Sequence, residues 1–319
     1  MPVILRLQAL VWVVLAAIVF AAPASAACTV GSGAATFEPG SSYAVRGGTV
    51  PAVSASAGLV CNGPIISLVS TNRARARVTS ANGFRLLRNE DSIAYSASAD
   101  PNGTLVFSQG GTIDYFDPSV LSVLGIMNGE DFRPQIYARI VGGANVAAGT
   151  YTDTLTVQWD WDVCRGVGLG GACILSDSGS GVAVITVTIE VSRDCRIDAP
   201  PLSFGAASLA SQFAEVTQTI LADCTKGTSF AVSLTSGSNN SARPWRAMKN
   251  AQGQILRYNL YRSDGSTIWD ETNPLAAAIP GSGSLSPAVP FVYRARIDPD
   301  QPTPPAGSYS DIVSVLINF

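Results

Sequence analysis

The sequence predicts an all-β protein: two β-sandwich domains in tandem, the C-terminal one lacking its last strand. Three observations predict it. Apolar residues alternate with polar ones along several runs, the period of a strand with one buried face. Cysteine spacings and a Tyr-centred segment recur in both halves, as in a tandem repeat. The turn dipeptides Asn82-Gly83, Asn102-Gly103, Asn128-Gly129 and Asp264-Gly265 punctuate the runs, as between short sandwich strands. The 319 residues suffice for two domains, and 30 Gly with 19 Pro suit short strands joined by turns. No amphipathic helix is expected.

Composition narrows the functional classes. Twenty Lys+Arg against 23 Asp+Glu give a net charge of −3, and charged residues make up only 13%. That excludes a disordered tail and a nucleic-acid binder held by basicity. Histidine is absent. Ser-His-Asp and Cys-His catalysis and His-ligated metal sites are thereby excluded. No Cys-x-x-Cys pair is present, which argues against a thioredoxin-type or zinc site. No cofactor, metal or nucleic-acid partner is expected.

Residues 1–27 read as a secretory signal peptide. Arg6 is the only charge before an apolar run over 9–22, and Ala24-Ser25-Ala26 supplies a small-residue cleavage site. The run is short for a spanning helix. Cleavage after Ala26 or Ala27 leaves Cys28 at or next to the mature N-terminus. Lipidation of Cys28 lacks the usual upstream Leu, so a disulfide is expected in the exported chain.

The repeat assigns the six cysteines. Cys28 is followed by Phe37 and then Cys61; Cys195 is followed at the same distance by Phe204 and then Cys224. Tyr137-Ala138-Arg139-Ile140 leads to Ala148-Gly149-Thr150-Tyr151-Thr152-Asp153, and Tyr293-Arg294-Ala295-Arg296-Ile297 leads to Ala306-Gly307-Ser308-Tyr309-Ser310-Asp311. The repeat predicts Cys28–Cys61 and Cys195–Cys224, with Cys164–Cys173 as a pair private to the first domain. The boundaries that follow are 28–192 and 193–319.

The strands read in order. Arg73-Ala74-Arg75-Ala76-Arg77-Val78 alternates. After Tyr151, Asp153, Leu155, Val157, Trp159, Trp161 and Val163 share one face. A further strand over 182–191 places Ala183, Ile185, Val187, Ile189 and Val191 on one face. In the second domain Val313, Val315, Ile317 and Phe319 share a face, and nothing corresponding to 182–191 follows. The expectation is a sheet edge left open, with apolar side chains and unpaired backbone for another chain to cover.

The second domain resembles the spore coat protein U family, whose members include subunits of archaic (Csu-type) chaperone–usher pili. Tyr258-Asn259-Leu260-Tyr261, Ile268-Trp269, Tyr293-Arg294-Ala295-Arg296-Ile297 and Pro305-Ala306-Gly307-Ser308-Tyr309-Ser310-Asp311 carry the resemblance over most of 195–319. The first domain matches at its Cys-x8-Phe start and its Ala-Gly-Thr-Tyr-Thr-Asp end. The resemblance implies immunoglobulin-like domains and a pilin domain at 193–319 whose missing strand comes from a partner. That partner is first a periplasmic chaperone and, past the outer-membrane usher, the donor strand of an adjacent pilin subunit, a form of β-augmentation. The donor-strand groove is expected along Val313, Val315, Ile317 and Phe319. At most one mature residue is expected before Cys28, too few for a donor strand at about 3.3 Å per residue. The expected position is therefore the pilus tip on the cell surface, reached through the periplasm, with 28–192 as the adhesin domain.

Other motifs carry less. Gly166-Val167-Gly168-Leu169-Gly170-Gly171 fits G-x-G-x-x-G, but lies between two cysteines and leads to a strand, not the helix a dinucleotide needs. Asp160 and Asp162 share a strand face and read as solvated, or as a cation or paired-carboxylate site. Arg73, Arg75 and Arg77 form a basic stripe that reads as a solvated edge, or as a site for anionic polysaccharide. Val120, Leu121, Val123, Leu124, Ile126 and Met127, with Val167 and Leu169 of the Cys164–Cys173 loop, read either as core or as exposed apolar loop tips that bind an abiotic or host surface. The resemblance favours the tips. The expected function is a non-enzymatic tip adhesin. The alternatives are a structural coat or pilus-shaft subunit, and a secreted carbohydrate-binding or hydrolytic module.

Overall fold

A computed structural model describes residues 28–62, 72–124, 131–167, 173–239, 244–284 and 288–319. The expected signal peptide at 1–27 lies outside the described residues. The buried apolar side chains form two clusters. One is built from residues between Cys28 and Val191, the other from residues between Ala210 and Ile297. The fold is two immunoglobulin-like β-sandwiches in tandem, the second without its last strand.

The spine of the first sandwich is a hairpin, Gly149–Val167 against Cys173–Ser192, in ladder from Gly149↔Val191 to Val167↔Cys173. Arg73–Ser80 pairs antiparallel with one arm, from Leu155↔Ser80 to Asp162↔Arg73. Gly33–Thr36 pairs parallel with the other, from Ile185↔Gly33 to Thr188↔Thr36. Arg85–Arg88, Asp91–Ser98, Gln135–Ile140 and Val53–Ser56 continue the order, and their inward side chains close on the same core. Both expected alternations are observed: Leu155, Val157, Trp159, Trp161 and Val163 are buried, as are Ala183, Ile185, Val187, Ile189 and Val191.

Two expectations need correction. The return strand starts at Cys173, well before 182. Its first half, Asp177-Ser178-Gly179-Ser180-Gly181, has loop composition. Yet a Cβ on Gly179 would lie 2.6 Å from the Trp161 ring, and one on Gly181 2.8 Å from the Val30 side chain. The glycines are strand positions crossed by large neighbours. Helices also exist, though short: Ser42–Gly47, whose Ser41 N-cap hydroxyl accepts from the Ala44 amide, and Pro118–Leu124.

In the second sandwich one sheet runs Cys195–Asp198, Val216–Cys224, Val289–Ile297, Ile255–Arg262, Arg246–Lys249. The other runs Leu275–Ala276, Ala231–Leu234, Val315–Asn318. Val289, Phe291, Tyr293, Ala295 and Ile297 point inward around Trp269, which is fully buried and donates its indole N–H to the Val232 carbonyl at 2.9 Å. The three expected disulfides are present, and Cys28↔Cys61 and Cys195↔Cys224 occupy matching ladder positions in the two sandwiches.

The sandwiches meet through polar contacts. The Tyr43 hydroxyl donates to the Asp223 carboxylate at 3.2 Å and to its carbonyl at 3.0 Å, and Arg196 lies over the Tyr43 ring at 4.6 Å. Ser42 and Thr225 share a hydrogen bond of 2.7 Å. Arg46 donates to the Gly283 carbonyl at 2.6 Å, Asn145 to the Ser282 carbonyl at 2.9 Å, and Lys226 pairs with Asp91.

Candidate functional site

The repeat makes the first sandwich a template for the second. Around Phe37, Gly33–Thr36 lies along the return strand of the hairpin, and the Phe37 amide donates to the Thr188 carbonyl at 2.9 Å. The matching stretch around Phe204 includes Pro200, Pro201, Leu202 and Ser203, and none of these four lies in a strand. Across from it runs 307–315. Between them opens a groove of about 660 Å³, floored by Ile220, Leu234, Met248, Leu256, Leu260 and Tyr293. The groove lies where the first sandwich keeps its own last strand. Val315–Asn318 pairs with Ala231–Leu234, and no described strand borders its other edge.

The four groove residues expected from sequence divide. Val313 and Val315 line the groove and pack on the core. Ile317 packs on the core outside the groove lining. Phe319 is 58% exposed and joins neither, a correction to the expected run of four. The ladder with Ala231–Leu234 ends at Asn318, so nothing holds the last ring inward.

A tyrosine–aspartate pair recurs at the repeat-matched position of each sandwich, its aspartate buried in the first and half-buried in the second. Asp153, 2% exposed, accepts from Ser80 Oγ at 2.6 Å and from Tyr95 OH at 2.7 Å. Asp311 accepts from Tyr258 OH at 2.8 Å, and from the amides of Ser238 at 2.9 Å and Ile312 at 2.8 Å. Burial first, then the bonded carboxylate, raises both tyrosine pKa values far above the ordinary phenol. The repeat aligns Asp153 with Asp311, but Tyr95 and Tyr258 stand at different distances from them, so spacing alone did not reveal the pairs.

At its far end the first sandwich gathers several connections. Phe132 bridges to Cys61, and Arg133 donates to Asn62 at 2.9 Å. The Cys164 amide donates to Asn72 at 2.8 Å, and the Cys28 amide to Asp177 at 2.8 Å. The described flanks of 62–72, 124–131 and 167–173 thus share one end. Gly149, at the start of the 19-residue hairpin arm, lies two residues from Ala147, whose amide donates to Asp91, the partner of Lys226 in the second sandwich. At about 3.3 Å per residue the two ends of that arm are roughly 60 Å apart.

The expected fingertip residues are partly rearranged by the helix Pro118–Leu124. Val120 is buried at 8% exposure, a correction to its expected place at the surface. Leu121 and Leu124 are half-buried against the core, and Val123 is 47% exposed. A helical period turns 120, 121 and 124 to one side and 123 to the other. Ile126, Met127 and Leu169 lie outside the described residues, as does the side chain of Val167, whose backbone pairs with Cys173. The sequence between Asn62 and Asn72 also carries Ile65, Ile66, Leu68 and Val69. Such an apolar run by itself resembles a buried strand, so sequence alone does not mark it as a surface feature.

Each arginine of the basic stripe has a partner. Arg73 bonds Asp160 at 2.8 Å, Arg75 bonds Asp114 at 3.0 Å, and Arg77 donates to the Gly110 carbonyl at 3.0 Å. The stripe is a laced, solvated face. Among the described residues, no three His, Cys, Asp or Glu side chains cluster to hold a metal.

A family model, the Spore Coat Protein U domain, matches residues 14–158 and again 182–316. Among solved structures, a similar fold occurs in the CsuC–CsuE chaperone–tip adhesion subunit pre-assembly complex from archaic chaperone–usher Csu pili of Acinetobacter baumannii. That match has 20% identity and a TM-score of 0.64, and covers 92% of this chain and 100% of the other. The CupB6 tip adhesin from Pseudomonas aeruginosa matches at 12% identity and TM-score 0.30, over 84% of this chain and 85% of its own. No curated protein matches the chain.

Proposed function

The chain belongs to the Spore Coat Protein U family, and on that premise we propose that it is the tip adhesin subunit of a chaperone–usher pilus. The second sandwich accepts a strand from a partner, and the first carries the binding end. The observation behind this reading is the groove between 199–206 and 307–315, at the position where the first sandwich holds 182–191. An unpaired edge with an apolar floor is unstable in water and is satisfied by an added strand. A periplasmic chaperone fills it before assembly and an adjacent pilin after the usher. The route is export through the periplasm to the cell surface. No catalytic constellation enters the reading.

The far end of the first sandwich supplies the contact in this reading, through the exposed Val123 of the helix Pro118–Leu124 together with Ile126, Met127, Val167 and Leu169. Apolar residues presented at a surface suit adhesion to an abiotic or host surface. Burying each contributes about 1.5–3 kcal/mol, so several together can hold a fibre tip.

The test is self-complementation. A flexible tether after Phe319, followed by a second copy of residues 182–191, lets the chain fill its own groove. The expected result is a soluble monomer whose second sandwich unfolds cooperatively and at a higher temperature than in the untethered chain. An unchanged transition would reject the acceptor reading.

A further inference from the structure

The second sandwich holds its open edge in place before any strand arrives, and we propose that Asp311 is the positioning residue that does so. This rests on reading the groove as a strand acceptor. In the first sandwich the segment after Tyr151 is held by its ladder, with Tyr151↔Ile189, Asp153↔Val187 and Leu155↔Ile185. In the second, 311–314 lie in no strand, although they form the wall of the groove.

The Asp311 carboxylate takes over the task of the ladder. Its Oδ1 accepts from the amides of Ser238 at 2.9 Å, Asn239 at 3.2 Å and Ile312 at 2.8 Å. The same oxygen accepts from Ser238 Oγ at 2.9 Å and Asn239 Nδ2 at 3.2 Å. Its Oδ2 accepts from Tyr258 OH at 2.8 Å. One side chain therefore ties the wall to the 237–239 turn on one side and to the Ile255–Arg262 strand on the other. Gly237 has φ +90°, and a Cβ there would overlap Asp311 Oδ2, so the close approach requires glycine. Ser310 exchanges both backbone bonds with Lys249, and the Ser314 amide donates to Thr235 Oγ1 at 2.9 Å. Between these two anchors the Ser238 amide also donates to the Ile312 carbonyl at 2.9 Å, and the carboxylate holds the rest of the stretch. A wall ordered in advance spares the incoming strand the cost of ordering it, which speeds association more than it slows release.

The full chain is compared as wild type, Asp311→Ala, Asp311→Asn and Tyr258→Phe. Without any donor, amide exchange at Asn239 and Ile312 is expected to rise roughly tenfold or more in Asp311→Ala. It should stay near wild type in Asp311→Asn, whose amide oxygen still accepts the backbone N–H groups. A synthetic peptide with the sequence of residues 180–192 is then the strand probe. Its association should slow about tenfold in Asp311→Ala while its release changes less than about twofold. Unchanged exchange in Asp311→Ala overturns the proposal, as does an Asn variant as mobile as the Ala one. Should Asp311→Ala fail to fold, Tyr258→Phe must raise exchange at Ile312, and no rise overturns the proposal. Faster exchange in a chain whose wild type ignores the peptide supports the positioning role and counts against the acceptor reading instead.

Discussion

Asp91 shows how one residue can serve two sandwiches. It accepts from the Ala147 amide at 2.9 Å, lies beside the Tyr151 hydroxyl, and pairs across the junction with Lys226. Burial pushes its carboxyl pKa up, but the bonds from Lys226 and Ala147 outweigh that and hold it below the usual carboxylate range. A folded pKa below the unfolded value of about 3.9 means the stabilisation is complete above that value and fades as pH falls through the folded one. Lys226 is about half exposed, so the effect is screened. Unfolding of wild type and Lys226→Ala, followed from pH 6 to about 2, should converge at the acid end. Parallel curves throughout would mean the pair does not form. The Tyr95–Asp153 pair makes a stronger claim. Tyr95→Phe removes one donor from a carboxylate that is 2% exposed and should cost about 1–3 kcal/mol in chemical unfolding.

Among the elements, the helix Pro118–Leu124 and the long hairpin do different work. Val123 is 47% exposed while Leu121 packs on the core. Val123→Ser should leave stability within about 0.5 kcal/mol, whereas Leu121→Ser should cost roughly 1–3 kcal/mol. Attachment of normally piliated cells to a hydrophobic surface should fall for Val123→Ser and stay insensitive to salt, because screening weakens charge pairs and not apolar contact. Full attachment would remove this helix from the binding end and favour a shaft or coat role. In the hairpin, Gly179→Val drives a side chain into the Trp161 ring and should cost about 1–3 kcal/mol by overpacking. Thermal unfolding reads that loss directly.

For the molecule as a whole, the junction decides how the two sandwiches are held against each other. Asp223 is fully buried and accepts from the amides of Ser282 at 2.6 Å and Ser284 at 2.9 Å as well as from Tyr43. The short link is pinned too: the Thr225 amide donates to the Asp194 carbonyl at 2.9 Å, and the Asp194 amide to Thr225 Oγ1 at 2.8 Å. Contacts from several segments on each side resist a hinge better than any one of them. Residual dipolar couplings from both sandwiches should fit a single alignment tensor in the wild type and two in the Arg46→Ala/Lys226→Ala double variant. Two tensors in the wild type would show a free hinge.

The sequence by itself determined the local periods and the repeat. Trp159 and Ile185 announce their burial through alternation, because a strand offers its faces in strict turn. Two cysteine pairs followed from duplication, and Cys164–Cys173 from the two cysteines that remained. Composition excluded histidine chemistry outright. Only the tertiary structure decided the rest, because it depends on neighbours distant in sequence. Gly179 and Gly181 read as loop until Trp161 and Val30 are seen to fill the space above them. Val120 reads as fingertip until the helix turns it inward. The alternation over Val313, Val315, Ile317 and Phe319 is regular, yet only Val313 and Val315 line the groove, and Phe319 stands beyond the end of the ladder. Asp311 looks like one more repeat residue; what distinguishes it is that its wall has lost the strand that steadies Asp153.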